Sequence, residues 1–480
     1  MTNNFAQFII KANQSRLNKL ALVDEIKSLT YQDLVNYIYS FAYYLQQSGV
    51  QAQDRVIISM EDCVEWPVAF LSIIAIGGNP VLVSDDLPMS TVEKVCAITD
   101  AKFSIGKEIS DLKCFHKGII LRNNNCQLET FYQYHPDEMC FWLLSSGTTG
   151  EPKCVVHRHQ DLETLLNIIA WPAYKVNDTC RILSTAKLSF TYGFNNSLTF
   201  GLGNGATVYL INGVPAPRKV FEIINRYLIT HFFTVPTVIN SMIKHGQNKS
   251  LPNSIRVMVS SGEPLPQSIA TVFEEQYSIR ILDGLGMSEC MYNYCTTTPD
   301  NSEVGTIGRP VLGIECEVRN DDGSSTPDGE AGEMWVKHPC AAIQYWKDWN
   351  NTKKTFIGEW IRTGDNVVKN SNGNYLYLAR RDDLIKINGQ FVSPVEIENV
   401  LLGIDWIVEC AVVSKITEDL AEIHAFIVTS KLATPSKIKK MVSASLPTHK
   451  IPKHIHFIET IPKTVTYKKT RSSLRQILEI

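Results

Sequence analysis

The sequence predicts an α/β protein: a large N-terminal domain of two αβ-layered sheets with a small β-barrel-like part, followed by a smaller α+β domain. Three observations predict it. Short β-branched runs alternate with amphipathic segments through most of the chain, which implies βαβ units, parallel sheets and right-handed crossovers. From about Val304 the texture changes to turn-punctuated strands (DDGSSTPDGEAGEMWV, GEWIRTGD, KNSNGNYLYLARRDD). After Arg381 it changes again, to strands and helices spread over roughly 100 residues, a plausible domain by size.

In chain order, Arg55–Met60 reads as a strand, Val64–Ile76 as a buried helix and Pro80–Val83 as the next strand. The theme repeats with strands Ile182–Ser184 and Thr207–Ile211, a helix over Arg218–Leu228 and strand His231–Val235. Strand Ile255–Val259, helix Pro266–Tyr277 and strand Arg280–Leu282 follow. Asn372-Gly373-Asn374 between two alternating runs is a hairpin signal. Beyond it, Ile385–Ile387, Glu409–Val413 and Ile423–Val428 read as strands, with helices over Pro394–Leu402 and Ser436–Ser445. The domain boundary is placed at 380/381, giving units 1–380 and 381–480.

Composition excludes more than it proposes. The 480 residues exceed one ordinary core, and 44% hydrophobic with 20% charged residues is the balance of a soluble globular chain. A net charge of −3 argues against a nucleic-acid-coating protein. Twelve cysteines without C-x-x-C spacing support neither a disulfide scaffold nor a Cys-based zinc site. The N-terminus lacks a basic flank and apolar core, and the run Val68–Ile76 is too short to cross a bilayer. The expected setting is therefore cytoplasmic, without membrane or nucleic-acid partners, as a monomer or homodimer. Charge is uneven: from Lys431 to Ile480 there are 11 Lys/Arg against two acids. Such a block is usually a solvated face, but it also suits an anionic ligand or an acidic partner.

Chemistry concentrates first at Ser145-Ser146-Gly147-Thr148-Thr149-Gly150-Glu151-Pro152-Lys153, directly after the apolar run Cys140–Leu144. Two glycines and four hydroxyl residues offer N–H and O–H donors, and Lys153 adds a cation, which is what a polyphosphate requires. The spacing is not that of a Walker loop. Further along stand Ser260-Ser261-Gly262-Glu263-Pro264-Leu265, Asp283-Gly284-Leu285-Gly286-Met287-Ser288-Glu289 and Ile361-Arg362-Thr363-Gly364-Asp365. Arg380-Arg381-Asp382-Asp383-Leu384-Ile385-Lys386 and Pro462-Lys463-Thr464-Val465-Thr466-Tyr467-Lys468 complete the series. The Ser261 and Asp283 motifs follow predicted strands, where open α/β sheets place ligands. Glu289 is a hard oxygen ligand suited to magnesium.

Together, and in this order, these motifs resemble those of the adenylate-forming ligases: acyl-CoA synthetases, luciferase-like enzymes and peptide-synthetase adenylation domains. The resemblance implies that Ser145, Ser146, Gly147, Thr148, Thr149, Gly150 and Lys153 hold the ATP phosphates. It implies an adenine and ribose site from Ser261, Gly262, Glu263, Pro264, Asp283, Gly284, Asp365 and Arg380. Lys468, Glu289 and Thr149 are then catalytic, Glu289 through magnesium, and Asp382 is the hinge of a mobile C-terminal domain. Two positions depart from the family pattern: Ala379 and Tyr467 each stand where glycine is usual.

Within the superfamily, Thr191-Tyr192-Gly193-Phe194-Asn195-Asn196-Ser197-Leu198-Thr199-Phe200 and Asn388-Gly389-Gln390-Phe391-Val392-Ser393-Pro394-Val395-Glu396 resemble stretches of benzoate-CoA and related aryl-CoA ligases. The resemblance implies an aryl pocket lined by Thr191, Tyr192, Gly286, Tyr292 and Asn293. Hydroxyls at Thr191 and Tyr292, where those ligases commonly carry a small apolar residue and His, suggest a ring with a polar substituent. The implied reaction joins an aromatic carboxylic acid to a thiol through an acyl-adenylate, with ATP and Mg2+. The thiol is CoA or the phosphopantetheine of an acidic acyl carrier protein. A catalytically impaired ligand-binding relative is the third reading.

Overall fold

The computed structural model describes residues 4–122, 127–146, 152–246, 250–387, 390–417, 420–463 and 469–479. The predicted α/β class is observed. A nine-stranded sheet runs, in spatial order, through Arg309–Pro310, Asn293–Thr296, Leu282–Gly286, Val257–Ser261, His231–Thr234, Arg181–Ser184, Thr207–Tyr209, Leu20–Val23 and Ser28–Thr30. Its centre is parallel and its edges are antiparallel. A seven-stranded sheet runs through Gln344–Tyr345, Pro152–Arg158, Met139–Ser146, Asn79–Leu82, Arg55–Ser59, Phe103–Gly106 and Lys113–Phe115.

Helix Glu65–Ala75 shows why the two sheets share one core. All eleven of its residues are buried, as a helix apolar on every side requires. Its Trp66 and Phe70 rings pack on Phe194, and Phe70 also meets Phe141. Helix Pro217–Tyr227 is instead amphipathic, burying only Val220, Phe221 and Ile224. Among the described residues no helix is long and apolar enough to cross a membrane.

Where the texture of the sequence changes, a five-stranded antiparallel sheet stands: Glu315–Arg319, Ala331–Lys337, Trp360–Lys369 and Phe356–Ile357, with Tyr375–Arg380 paired to Trp360–Lys369. The expected hairpin turn is present, with Gly373 at φ +78° and its N–H donating to Asn370 O. Beyond Arg380 a two-stranded sheet (Ile385–Ile387, Gln390–Val392) and a three-stranded one (Ile407–Thr417, Leu420–Thr429, His454–Phe457) surround a separate core. That core includes Val392, Ile397, Leu401, Val412, Ile427 and Ile438.

One expectation shifts. The strand expected at Arg280–Leu282 runs over Leu282–Gly286, because it pairs antiparallel with Asn293–Thr296; Asp283 and Gly284 are therefore strand residues, not loop. The phosphate motif joins two strands. Met139–Ser146 and Pro152–Arg158 are antiparallel partners, with Ser145 opposite Lys153 and Ser146 opposite Pro152, so the motif closes a hairpin.

Candidate active site

The phosphate end is assembled by that hairpin. Pairing sets Ser145 and Lys153 side by side, and Ser145 Oγ donates to Glu289 Oε1 at 3.3 Å. Glu289 lies in the short turn Ser288–Cys290 and is only 5% exposed. Tyr345 donates to the same carboxylate oxygen at 2.6 Å, and its ring carries the Lys153 ammonium 4.8 Å from the centroid. One tyrosine thus ties the loop's cation to the acid expected to hold magnesium. Gly147, Thr148, Thr149 and Gly150 lie outside the described residues, as does the side chain of Ser146.

Turn geometry aims Glu289. Met291 closes the turn at φ +64°, a conformation non-glycine residues seldom adopt, and its carbonyl accepts a 2.7 Å bond from Asn195 Nδ2. Asn195 itself begins a π-helical stretch, Asn195–Leu202, directly after the short helix Thr191–Phe194. Wide turns of this kind recur at functional sites. Gly193 is required there, because a Cβ would lie 2.1 Å from Ala186 O.

Asp365, 1% exposed, accepts from Tyr294 OH at 2.9 Å and faces Arg380 Nε at 3.1 Å, while Arg380 Nη1 donates to Thr363 O. The Asp365 carboxylate holds Arg380 above its ordinary value, and Glu289 adds to that field. A carboxylate and guanidinium so placed can take ribose hydroxyls and phosphate. On the other side, Gly262 adopts φ +89° with open space at its Cβ position, so backbone conformation alone demands glycine. Pro264 is exposed, and Glu263 Oε2 accepts from Thr237 Oγ1 at 2.9 Å. Burial raises Asp283 well above the usual carboxylate range, against the pull of the Gly284 N–H it accepts at 2.9 Å.

The expected aryl residues come together around one seam. Tyr192 and Tyr292 stack with centroids 5.6 Å apart, Phe233 stands edge-on at 6.3 Å, and Tyr192 OH donates to Val259 O at 3.0 Å. Asn293 accepts from Ser261 Oγ at 2.7 Å and donates to Tyr174 OH at 3.2 Å. One detail differs from expectation. The Tyr292 hydroxyl is buried and donates to Asn196 Oδ1, so it is not free to meet a ring substituent. At Gly286 a Cβ would lie 2.4 Å from Tyr292 O and 2.7 Å from Asn293 Cα, so glycine lets adjacent segments approach. Gly284 is similar, with Asn293 Nδ2 at 2.2 Å. The Thr191 hydroxyl meets Ser288 Oγ at 2.9 Å, and both residues are half-buried.

The small unit approaches from the Glu263 side. Lys468 and Tyr467 lie outside the described residues, but the flanks of their segment are described. Lys463 pairs with Lys469 across a β-bridge, and Thr470 N–H donates to Pro462 O at 2.8 Å. Lys463 reaches Glu409 at 3.1 Å, and Lys469 reaches Glu398 at 3.4 Å. Burial pulls Lys469 down, but Glu398 outweighs it and Glu263 adds to the rise, so the segment's base lies within reach of the adenine-side loop. Asp382 is exposed, in the turn Arg381–Asp383; its carbonyl accepts from Arg475, and Asp383 pairs with Arg475 and Arg471. Ala379 is an ordinary strand residue opposite Asn366.

A family model described as AMP-binding enzyme matches residues 9–346, and one described as AMP-binding enzyme C-terminal domain matches residues 396–468. The chain belongs to the AMP-binding enzyme family. The expected class, an AMP-forming acid–thiol ligase, stands with that membership. This AMP-binding enzyme is 32% identical to a benzoate–CoA ligase of Thauera aromatica, over 96% of this chain and 93% of that protein. It is 30% identical to a 4-hydroxybenzoate–CoA/benzoate–CoA ligase of Rhodopseudomonas palustris, over 97% and 92%. Among solved structures, a benzoate CoA ligase from Burkholderia xenovorans LB400 superposes with a TM-score of 0.90 at 32% identity, covering 98% of this chain and 99% of that one. The anthranilate CoA ligase AuaEII, in complex with anthranoyl-AMP, gives 0.94 at 27%, covering 99% and 97%.

Sequence reasoning missed Tyr345, Tyr174, Asn196 and Tyr294. Each acts through side-chain contacts made across distant segments; Tyr345, Tyr174 and Tyr294 belong to no recognised motif, and Asn196 lies inside the Thr191–Phe200 stretch with no role assigned to it. His157 and His159, flanking Arg158, are packing residues. His157 Nε2 meets Ser288 O at 2.7 Å, and His159 stacks on Tyr134.

Proposed function

We propose that this enzyme activates an aromatic carboxylic acid with ATP and passes the acyl group to the thiol of CoA. The observation that carries this reading is the whole-length similarity to benzoate–CoA ligase, joined to the Tyr192–Tyr292 seam beside Ser261 and Asn293. In the first half-reaction the acid's carboxylate oxygen bonds to the α-phosphorus of ATP and the bond to pyrophosphate breaks. In the second, the thiolate attacks the acyl carbon and AMP leaves with the bonding electrons. Two anions meet in the first step, so cations and oriented donors govern its rate.

Lys153 and the loop hydroxyls would hold the β- and γ-phosphates, Asp365 and Arg380 the ribose side, and Lys468 the developing charge at the α-phosphate. Glu289 fits a magnesium site: it is one buried carboxylate with its orientation fixed by two donors, and magnesium typically takes one or two carboxylates plus substrate phosphates. The ion, when bound, neutralises phosphate charge. Lys468 would act in adenylation only, so the unit after Arg380 would turn about Asp382 to admit the thiol.

The acid we favour is a benzoate carrying a hydroxy or amino group or a ring nitrogen. With Tyr292 engaged by Asn196, the Thr191–Ser288 hydroxyl pair is the feature that supports a polar substituent. A second acceptor, the phosphopantetheine of a free-standing acyl carrier protein, rests only on the basic stretch after Lys431. ATP–pyrophosphate exchange over a panel of benzoates, anthranilate, pyridine carboxylates and fatty acids tests the acid. Thioester formation with CoA against holo-carrier proteins tests the thiol. Preference for medium-chain fatty acids, or silence across all aryl acids with measurable ATP binding, would defeat the reading.

A further inference from the structure

One cluster of ligating side chains lies outside the chemistry above. In the three-stranded sheet, Leu420–Thr429 and His454–Phe457 run parallel, with His424 opposite His454 and Phe426 opposite His456. Alternation along each strand therefore puts Glu422, His424, His454 and His456 on a common face. One donor atom each from Glu422, His424 and His454 lies within 4.8 Å of the other two. Glu422 Oε2 is 2.9 Å from His454 Nε2, and the His424 and His454 rings stack with centroids 4.4 Å apart.

A second observation points to a ligand. His424 is 6% exposed, and among the described residues its Nε2 has no hydrogen-bond partner. Buried polar atoms left unpaired are uncommon, and one on a side chain of this kind calls for an explanation. Its other nitrogen, Nδ1, is 3.0 Å from His456 Nε2, which leaves Nε2 as the lone pair to offer. His456 then stands where the outer partner of a metal-bound histidine stands, accepting its N–H and fixing ring and tautomer.

We propose that Glu422, His424 and His454 bind one divalent transition-metal ion of the zinc class, with His456 orienting His424. Two imidazoles and a carboxylate, with a fourth position open to water, suit Zn2+ and to a lesser degree Co2+ or Ni2+. The set does not suit Mg2+, which requires oxygen ligands, so the nucleotide's ion is not a competitor. Lys453 holds Glu422 now; its side chain is 63% exposed and can return to water when the ion arrives. Lys415, opposite Glu422 on the adjoining strand, is engaged with Leu478 O and need not move. The ion would staple the outer strand His454–Phe457 to its neighbour, a few residues before the β-bridge that flanks the Lys468 segment. No motif announces the site, because E-x-H and H-x-H are thirty residues apart and only strand pairing joins them.

The test uses the full chain, stripped with a chelator, in buffer containing Mg2+ but no nucleotide. Calorimetric titration with Zn2+ should give about one tight site per chain, and Co2+ in its place should show the visible absorption of a tetrahedral nitrogen–oxygen site. His454→Ala and Glu422→Gln should each weaken Zn2+ more than about tenfold, whereas the exposed His116→Ala should leave it unchanged. Lys453→Gln, a change at an exposed side chain, should tighten it. The site is overturned if the wild type binds no Zn2+, or if His454→Ala and Lys453→Gln both bind at wild-type strength. Neither outcome bears on aryl-acid activation, which is measured separately.

Discussion

Replacing Tyr345 by Phe separates the two contacts that this residue makes at the phosphate end. The ring, 4.8 Å from Lys153 Nζ, is kept; the hydroxyl that donates to Glu289 at 2.6 Å is lost. Both residues are almost wholly buried, so water does not readily replace the donor. Burial, and then the Glu289 charge, holds the phenol far above neutral pH, so it remains a donor throughout the working range. A hydrogen bond to a charged group contributes about 1.5–3 kcal/mol. Expressed fully in the adenylation transition state, that is about 10- to 150-fold in rate. The assay is ATP–pyrophosphate exchange with a saturating aryl acid, followed over a magnesium series, with a thermal melt to show that the fold is kept. A fall in that range, not repaired by excess magnesium, is expected. A change of less than about twofold would mean that Glu289 needs no positioned donor, and would remove Tyr345 from the catalytic argument.

Lys468→Ala should slow pyrophosphate exchange by orders of magnitude while leaving thioester formation from supplied acyl-AMP largely intact; equal losses in the two half-reactions would refute the alternation of the small unit. Gly286→Ala drives a methyl group to 2.4 Å from Tyr292 O, and because the obstacle is backbone, calorimetry should record about 1–3 kcal/mol lost stability. Tyr292→Phe should cost about 0.5–1.5 kcal/mol yet leave the ratio of kcat/KM for hydroxybenzoate and benzoate unchanged, since Asn196 already holds the hydroxyl. Burial alone would raise Glu398, but Arg471 and then Lys469 outweigh it and lower its pKa below the ordinary 4.5. Its contribution to stability is thus fully present above pH 4.5 and lost as pH falls below that through the lowered native value; an acid titration of the small unit should show the loss in Glu398-intact protein and not in Glu398→Gln.

The fold was legible where local pattern and tertiary role agree. Helix Glu65–Ala75 could be read because an all-apolar segment has one stable destination, the space between sheets. Strand Leu282–Gly286 was misplaced because Asp283, Gly284 and Gly286 carry no strand propensity; pairing to Asn293–Thr296 makes the strand, and the glycines permit it. Site residues in contiguous motifs were legible for a similar reason: a short loop must concentrate its donors. Tyr345 was not, since it stands in no motif and meets Glu289 from 56 positions away; Asn196 stands inside a recognised stretch, but its contact with Tyr292, 96 positions away, is made only by the fold. Tyr292 was found, but its hydroxyl was given the wrong partner, because sequence cannot tell which of two nearby acceptors a buried donor will meet.

The uneven charge needs a different explanation from the one composition suggests. Counting from Lys431 finds 11 bases and two acids, but the structure pairs many of those bases with acids just upstream. Lys450 reaches Glu396, Lys453 reaches Glu422, Lys463 reaches Glu409, and Lys469 and Arg471 share Glu398. Arg475 and Arg471 meet Asp383 at the expected hinge. Extending the count back to Arg381 gives 14 bases and 11 acids, a net charge of only +3. The apparent tail is thus one half of an internal ion-pair network, and the window of counting separated the halves. These pairs also tie Arg471 and Arg475 to Asp383, so rotation about Asp382 would carry the C-terminal helix Arg471–Glu479 with the small unit. Among the described residues, what remains to attract an anionic thiol carrier is narrower: Lys431, with Lys437, Lys439 and Lys440 on the helix Pro435–Val442. Lys437 lies over Trp406 and Lys439 donates to Lys453 O, so even this patch is partly engaged. Long-range attraction is therefore a weak argument for either thiol, and the choice between CoA and a carrier protein falls to short-range contacts.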